Sequence, residues 1–97
     1  MPKYLALYSD SGEPMPEMTP EQGQAMMQAW FDWRDGAGDA IVDFGAPTMP
    51  VSEGAGRIGG YSIVQADSVE DLDEIFESNP HLHHGGTVEF HLIHDIG

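Results

Sequence analysis

The stretch KYLALYS, residues 3–9, most constrains what this chain can fold into. A short apolar and aromatic run with turn-formers behind it reads as a β-strand. Tyr4, Leu5, Ala6, Leu7 and Tyr8 are consecutive, and successive side chains of a strand point to opposite faces, so both faces of this strand are apolar. It needs cover on both sides. A single layer of helices supplies one of them.

The rest of the chain supplies the helices and three more strands. After a loop, DSGEPMPEM, Thr19 followed by Pro20 and by Gln22 three residues on has the form of an N-cap, a preferred first helical residue and a capping-box partner. Met26, Met27, Ala29, Trp30, Phe31 and Trp33 then fall at spacings that make one broad apolar helix face, which Gly36 or Gly38 terminates. AIVDFGAP, residues 40–47, reads as a second strand, closed by Gly45 and Pro47. TMPVSEGAGRIGG, residues 48–60, has no apolar period and is expected to be a mobile hairpin loop. YSIVQA, residues 61–66, is a third strand. Asp67 or Ser68 caps a second helix that turns Val69, Leu72, Ile75 and Phe76 inward. TVEFHLIH alternates Val88, Phe90 and Leu92 with Thr87, Glu89 and His91, the period of a strand with two chemically different faces.

The order β-α-β-β-α-β is the ferredoxin-like plan, an α+β fold with a four-stranded antiparallel sheet and both helices on one face. At 97 residues the chain makes one domain, residues 1–97. The sheet face that the helices leave bare, apolar in the first strand, calls for a second copy of the chain. A homodimer is therefore expected.

Charge narrows the partners. Seventeen acidic residues against Lys3, Arg34 and Arg57 give a formal net charge of -14, which repels phosphate backbones and anionic lipid surfaces; neither nucleic acid nor membrane is expected as a partner. Such an acidic, lysine-poor surface resembles those of halophilic proteins from high-salt cytoplasm. The absence of cysteine removes thiol nucleophiles and thiolate metal sites and fits a reducing compartment. The start MPKYLALYSD lacks the long apolar core of a signal peptide, so the expected location is the cytoplasm.

Several motifs carry chemistry only in the right context. Gly54, Gly56 and Gly59 spell G-x-G-x-x-G, but a dinucleotide fingerprint opens a helix and this one runs into a strand. His81, His83 and His84 sit in NPHLHHGG, between a helix-ending Asn79-Pro80 and a Gly85-Gly86 turn. With no i, i+4 pair and no well-placed acid beside them the ligand count for a metal fails, and the segment reads as a connection with exposed imidazoles. Neither a metal nor a cofactor is expected. His91 shares a strand face with Glu89, and a histidine and a carboxylate facing one cavity can transfer protons near neutral pH, although outward strand pairs are usually solvated. Asp43 interrupts an apolar strand and stands either at a sheet edge or in a pocket. The candidate catalytic residues are thus Asp43, His91 and His83, and the candidate ligand-binding residues are Trp30, Trp33 and Asp43.

Two long runs, WFDWRDGAGDAIVDFGAP at residues 30–47 and GGYSIVQADSVEDLDEIFESNPHLHHGGTVEFHLI at residues 59–93, resemble the YCII-related family, also called DGPF-like. The resemblance covers nearly the whole chain and is weakest in the first strand and the Gly-rich loop. It implies a dimeric α+β barrel, two ferredoxin-like units packed sheet to sheet. Members similar to muconolactone-isomerase-type and dehalogenating enzymes use a histidine on the first helix with an aspartate just before the proline that follows the second helix. This chain has Met27 near the first place and Asn79 before Pro80, so neither half of the dyad is present. The readings that remain are a small homodimeric domain that binds a small molecule or has a structural or regulatory role, and, as the alternative, an enzyme of the isomerase, lyase or dehalogenase kind acting by proton transfer through other residues.

Overall fold

The computed structural model describes residues 1–9, 18–53 and 57–94. Four strands, β1 (Lys3–Ser9), β2 (Ile41–Pro47), β3 (Ile58–Gln65) and β4 (Thr87–Leu92), form one sheet in the order β2-β3-β1-β4 with every neighbouring pair antiparallel. Helix α1 (Pro20–Ala37) connects β1 to β2, and α2 (Val69–Ile75) with the short α3 (Pro80–His83) connects β3 to β4. This is the ferredoxin-like arrangement.

Local chemistry explains the helix boundaries. Thr19 Oγ1 accepts from the Gln22 N–H at 3.2 Å while Gln22 Oε1 accepts from the Thr19 N–H at 2.9 Å, a complete capping box that satisfies two otherwise orphaned donors. Gly38, at φ +57°, ends α1 with its N–H on the Arg34 carbonyl, and one 3-10 turn leads into β2. Ser68 caps α2 through the Asp71 N–H, and Asn79 caps α3 through the His81 N–H at 2.9 Å. α3 lies where the sequence suggests a plain connection. Pro80 at its first position is buried and fixes the φ that a helix start requires.

Alternation in β1 divides its side chains cleanly. Tyr4, Ala6 and Tyr8 face the helices, opposite Val64, Ser62 and Gly60 of β3, and Trp33, Leu72 and Phe76 close the core over them. The Trp33 indole N–H donates to the Ile75 carbonyl at 2.9 Å, pinning α1 to the end of α2. On the other face Leu5 pairs with Ile63 and His91, and Leu7 with Tyr61 and Glu89, leaving a half-exposed sheet surface over which no helix lies among the described residues.

Three expectations are corrected. The third strand starts at Ile58 rather than Tyr61, which shortens the loop expected over residues 48–60: Gly60 is already in the sheet, paired with Tyr8 on one side and Pro47 on the other. Val69 is 61% exposed instead of inward, since it sits on the first turn of α2 beyond the sheet's reach. On the apolar face of α1 Trp33 is buried and Met26, Ala29, Trp30 and Phe31 are half-buried as the spacing predicts, whereas Met27 is 52% exposed above a cavity. Gly54, Gly56 and all but Met18 of the loop expected after β1 lie outside the described residues.

Candidate functional site

The cavity, about 250 Å³, opens between α1 and the β2–β3 edge of the sheet. Its walls are the rings of Tyr8, Trp30 and Phe44, with Met27 at the helix side and His81 at the far end. Tyr8 and Trp30 meet edge to face with centroids 5.2 Å apart, and His81 meets Tyr8 in a similar way at 5.3 Å. Such T-shaped pairs are favoured by the ring quadrupoles and fix the ring planes that shape the space.

Irregularity in β2 opens the floor. The register between β2 and β3 shifts on both sides of Asp43, and Gly45 adopts φ +82°, where a Cβ would overlap the Tyr61 carbonyl oxygen. The Asp43 carboxylate accepts from the Gly45 N–H at 2.8 Å and holds the bulge. Gly45, Ala46 and Pro47 of β2 and the strand glycines Gly59 and Gly60 line the cavity on that side.

A directional hydrogen-bond chain crosses this wall. Ser62 Oγ donates to the Phe44 carbonyl at 2.7 Å, and a carbonyl only accepts, so the single serine proton is committed there. The Tyr8 hydroxyl, 2.8 Å from Ser62 Oγ, is therefore the donor in that pair. Burial raises the Tyr8 phenol above its ordinary value, and the hydrogen bond with Ser62 works against this without cancelling it. Tyr8 is a neutral phenol at physiological pH. Asn79 is fully buried, and its Nδ2 has no hydrogen-bond partner among the described residues.

The three clustered histidines part company. His81 Nε2 donates to the Ser9 carbonyl at 2.7 Å, which places a ring proton on Nε2. Gly86 makes room for this ring, since a Cβ there would collide with Nε2, Cε1 and Cδ2. His83 Nε2 donates to the Glu77 carbonyl at 2.9 Å on the surface, and His84 is exposed. Among the described residues no group of three or more metal-ligating side chains converges.

Of the residues singled out in the sequence, Trp30 lines the cavity. Trp33, 4% exposed, lies in the core with its indole nitrogen bonded to Ile75. Asp43 is exposed on the edge strand and acts on Gly45 rather than on a histidine. His91 and Glu89 do come together, at 2.9 Å, but on the bare sheet face, with side chains 54% and 62% exposed. Met27 is on the cavity wall, and Asn79 is buried beside Tyr8. Tyr8 and Ser62 carry no sequence signal as site residues, and His81, which the sequence suggests is an exposed imidazole of a connection, is half-buried on the cavity wall. The signal for His81 was available in Gly86, a second glycine that the turn itself does not demand.

No family model matches the chain, and no curated protein matches it. Among solved structures it is similar to 5-chloro-2-hydroxyhydroquinone dehydrochlorinase from Burkholderia phenoliruptrix, in complex with 2,5-dihydroxybenzoquinone, with a TM-score of 0.56 and 18% identity over 92% of this chain and 91% of that one. At that identity the likeness establishes the fold, an α+β ferredoxin-like unit.

Proposed function

We propose that residues 1–97 form one YCII-related domain that acts in the cytoplasm as a homodimer and binds a small, planar, uncharged molecule in the cavity beside Tyr8. The observation that carries this reading is the character of the wall: three aromatic rings, glycine backbone and a neutral Tyr8–Ser62 pair, with no charged side chain among the described lining residues. A dry apolar cavity of about 150 Å³ takes a benzene, so about 250 Å³ suits one substituted ring. A neutral ligand also approaches a chain of net charge -14 without the repulsion an anion would meet. That the similar structure holds a single-ring dihydroxyquinone supports the same size class.

The homodimer rests on Leu5, Leu7 and Ile63, which stand half-exposed in the middle of the bare sheet face. The alternative, a proton-transfer enzyme, is supported by the dehydrochlorinase activity named for the similar structure. Against it stand Met27 and Asn79, neither of which exchanges a proton near neutral pH, near the places where related enzymes use a histidine and an aspartate.

Thermal-shift titration with a panel of neutral single-ring aromatics tests the binding reading. The wild type should gain a saturable rise in melting temperature that Met27→Trp, which narrows the cavity from the helix side, abolishes. Equal shifts in both proteins, or none in either, would overturn it. Turnover of any panel member would favour the enzyme reading.

A further inference from the structure

We infer that His81 is the proton acceptor of the cavity, and that the molecule bound there carries an acidic hydroxyl of the phenol or enol class. This rests on the binding reading above and sharpens it.

The argument is one of elimination on a wall with few titratable groups. Among the described lining residues Tyr8, Tyr61 and His81 are the ionisable types, and no carboxylate, lysine or arginine faces the space. Tyr8 is a phenol that already donates to Ser62 and whose burial holds its proton. The Tyr61 side chain alternates with Gly60 and Ser62 along β3 and so lies on the other face of the sheet, beside Leu7. His83 and His84, on the same short helix and its cap, do not line the cavity, and the Asn79 amide beside Tyr8 is neutral. The imidazole of His81 is what remains.

Its geometry suits that role. Donation from Nε2 to the Ser9 carbonyl leaves Nδ1 as the lone-pair nitrogen of the neutral ring. Ring orientation is fixed twice over, by the Ser9 carbonyl and by the edge contact with Tyr8. When a ligand O–H gives its proton to Nδ1, the O–H bond breaks, its electron pair stays on the ligand oxygen, and the imidazole becomes an imidazolium with a proton on each nitrogen. The Ser9 carbonyl keeps its bond to Nε2–H through this change and strengthens it, because the donor is now charged. The pair formed is neutral in sum, so the acidic surface does not oppose it as it opposes a free anion entering.

The test uses two probes on the full chain. 4-Nitrophenol reports by its absorbance whether its hydroxyl is ionised, and 4-nitroanisole has the same ring with no proton to give. The expectation is that both bind the wild type. Bound nitrophenol should show an ionised-to-neutral ratio about tenfold above that of free nitrophenol at the same pH, the change that one pKa unit represents. His81→Phe should lose the ionisation shift of bound nitrophenol. Should that variant fail to fold, the ¹⁵N signals of His81 in the wild type decide: nitrophenol, and not nitroanisole, should convert Nδ1 from a bare to a protonated nitrogen. Binding of both probes with no ionisation shift, or a shift that persists in His81→Phe, would overturn the role of His81 and leave the cavity reading standing. Binding of neither probe would overturn both.

Discussion

His81 Nε2 and the Ser9 carbonyl oxygen, 2.7 Å apart and 72 residues apart in the chain, tie the short helix α3 to the end of β1 beside the cavity. The tie depends on a residue that makes no bond in it, Gly86, whose missing Cβ is the space the imidazole occupies. Gly86→Ala therefore should displace the ring while asking nothing unusual of the backbone. The expected loss is about 1–3 kcal/mol, the usual cost of overpacking, with weaker probe binding as well. Gly85→Ala, by contrast, meets no atom but pays for its φ of +85°. Chemical denaturation of the two variants, with the His81 imidazole followed by NMR, separates ring displacement from backbone strain: His81 should move in the first and stay in the second.

Tyr8 makes a prediction about alkaline stability. A phenol whose folded value lies above its unfolded value stabilises the fold fully below about pH 10, and this contribution is lost as pH rises through the folded value, because the unfolded chain releases the proton first. Tyr8→Phe removes the hydrogen bond to Ser62, whose own proton stays on the Phe44 carbonyl, so the cost at neutral pH should be about 1 kcal/mol. The gap between wild type and variant should then close above about pH 10, where the wild type loses its Tyr8 contribution. Melting temperatures of both proteins from neutral to alkaline pH measure it, and a gap that widens instead would show the linkage to be wrong.

The bare sheet face should hold a second copy. Sedimentation at micromolar concentration is expected to give twice the chain mass of 10.6 kDa. Leu7→Asp, which places a carboxylate between Tyr61 and Glu89 on that face, should give the single mass with the fold intact by circular dichroism. A monomer in the wild type would remove the dimeric barrel.

Acidic side chains crowd α2 and its end, at Glu70, Asp71, Asp73, Glu74 and Glu77, and only the first two lie where the helix N-terminus favours them. Raising sodium or potassium chloride from about 0.1 to 1 M shortens the screening length from about 10 to about 3 Å. Melting temperature and dimer fraction should both rise over that range. A flat or falling melting curve would mean that the acidity serves solubility or a basic partner rather than life at high salt.

What could be read from the residues was the periodic part. The Thr19 capping box, the alternation of Val88 and Phe90 in β4 and the two apolar faces of β1 all follow from local spacing, and together they are enough for the ferredoxin-like order. The cavity is built from departures from period. Gly45 opens β2 by a bulge whose reason is the Tyr61 carbonyl on the next strand, and Gly60 reads as loop until its pairing with Tyr8 and Pro47 places it in the sheet. His81 looks like its neighbours His83 and His84 because its partner, Ser9, is brought near only by the fold. Asp43 drew notice as an acid in an apolar strand, and its task is to hold Gly45, one step removed from the cavity.

Trp30 stands on the cavity wall while the indole N–H of Trp33 is bonded to Ile75 in the core, so the two tryptophans report separately on what enters. The most direct test of the account is a ¹H–¹⁵N titration of the wild type with a neutral single-ring aromatic, following both indole signals. The account predicts a saturable shift of the Trp30 indole, with the Trp33 signal moving far less. No shift at Trp30, or a non-saturating drift of both signals together, would contradict it.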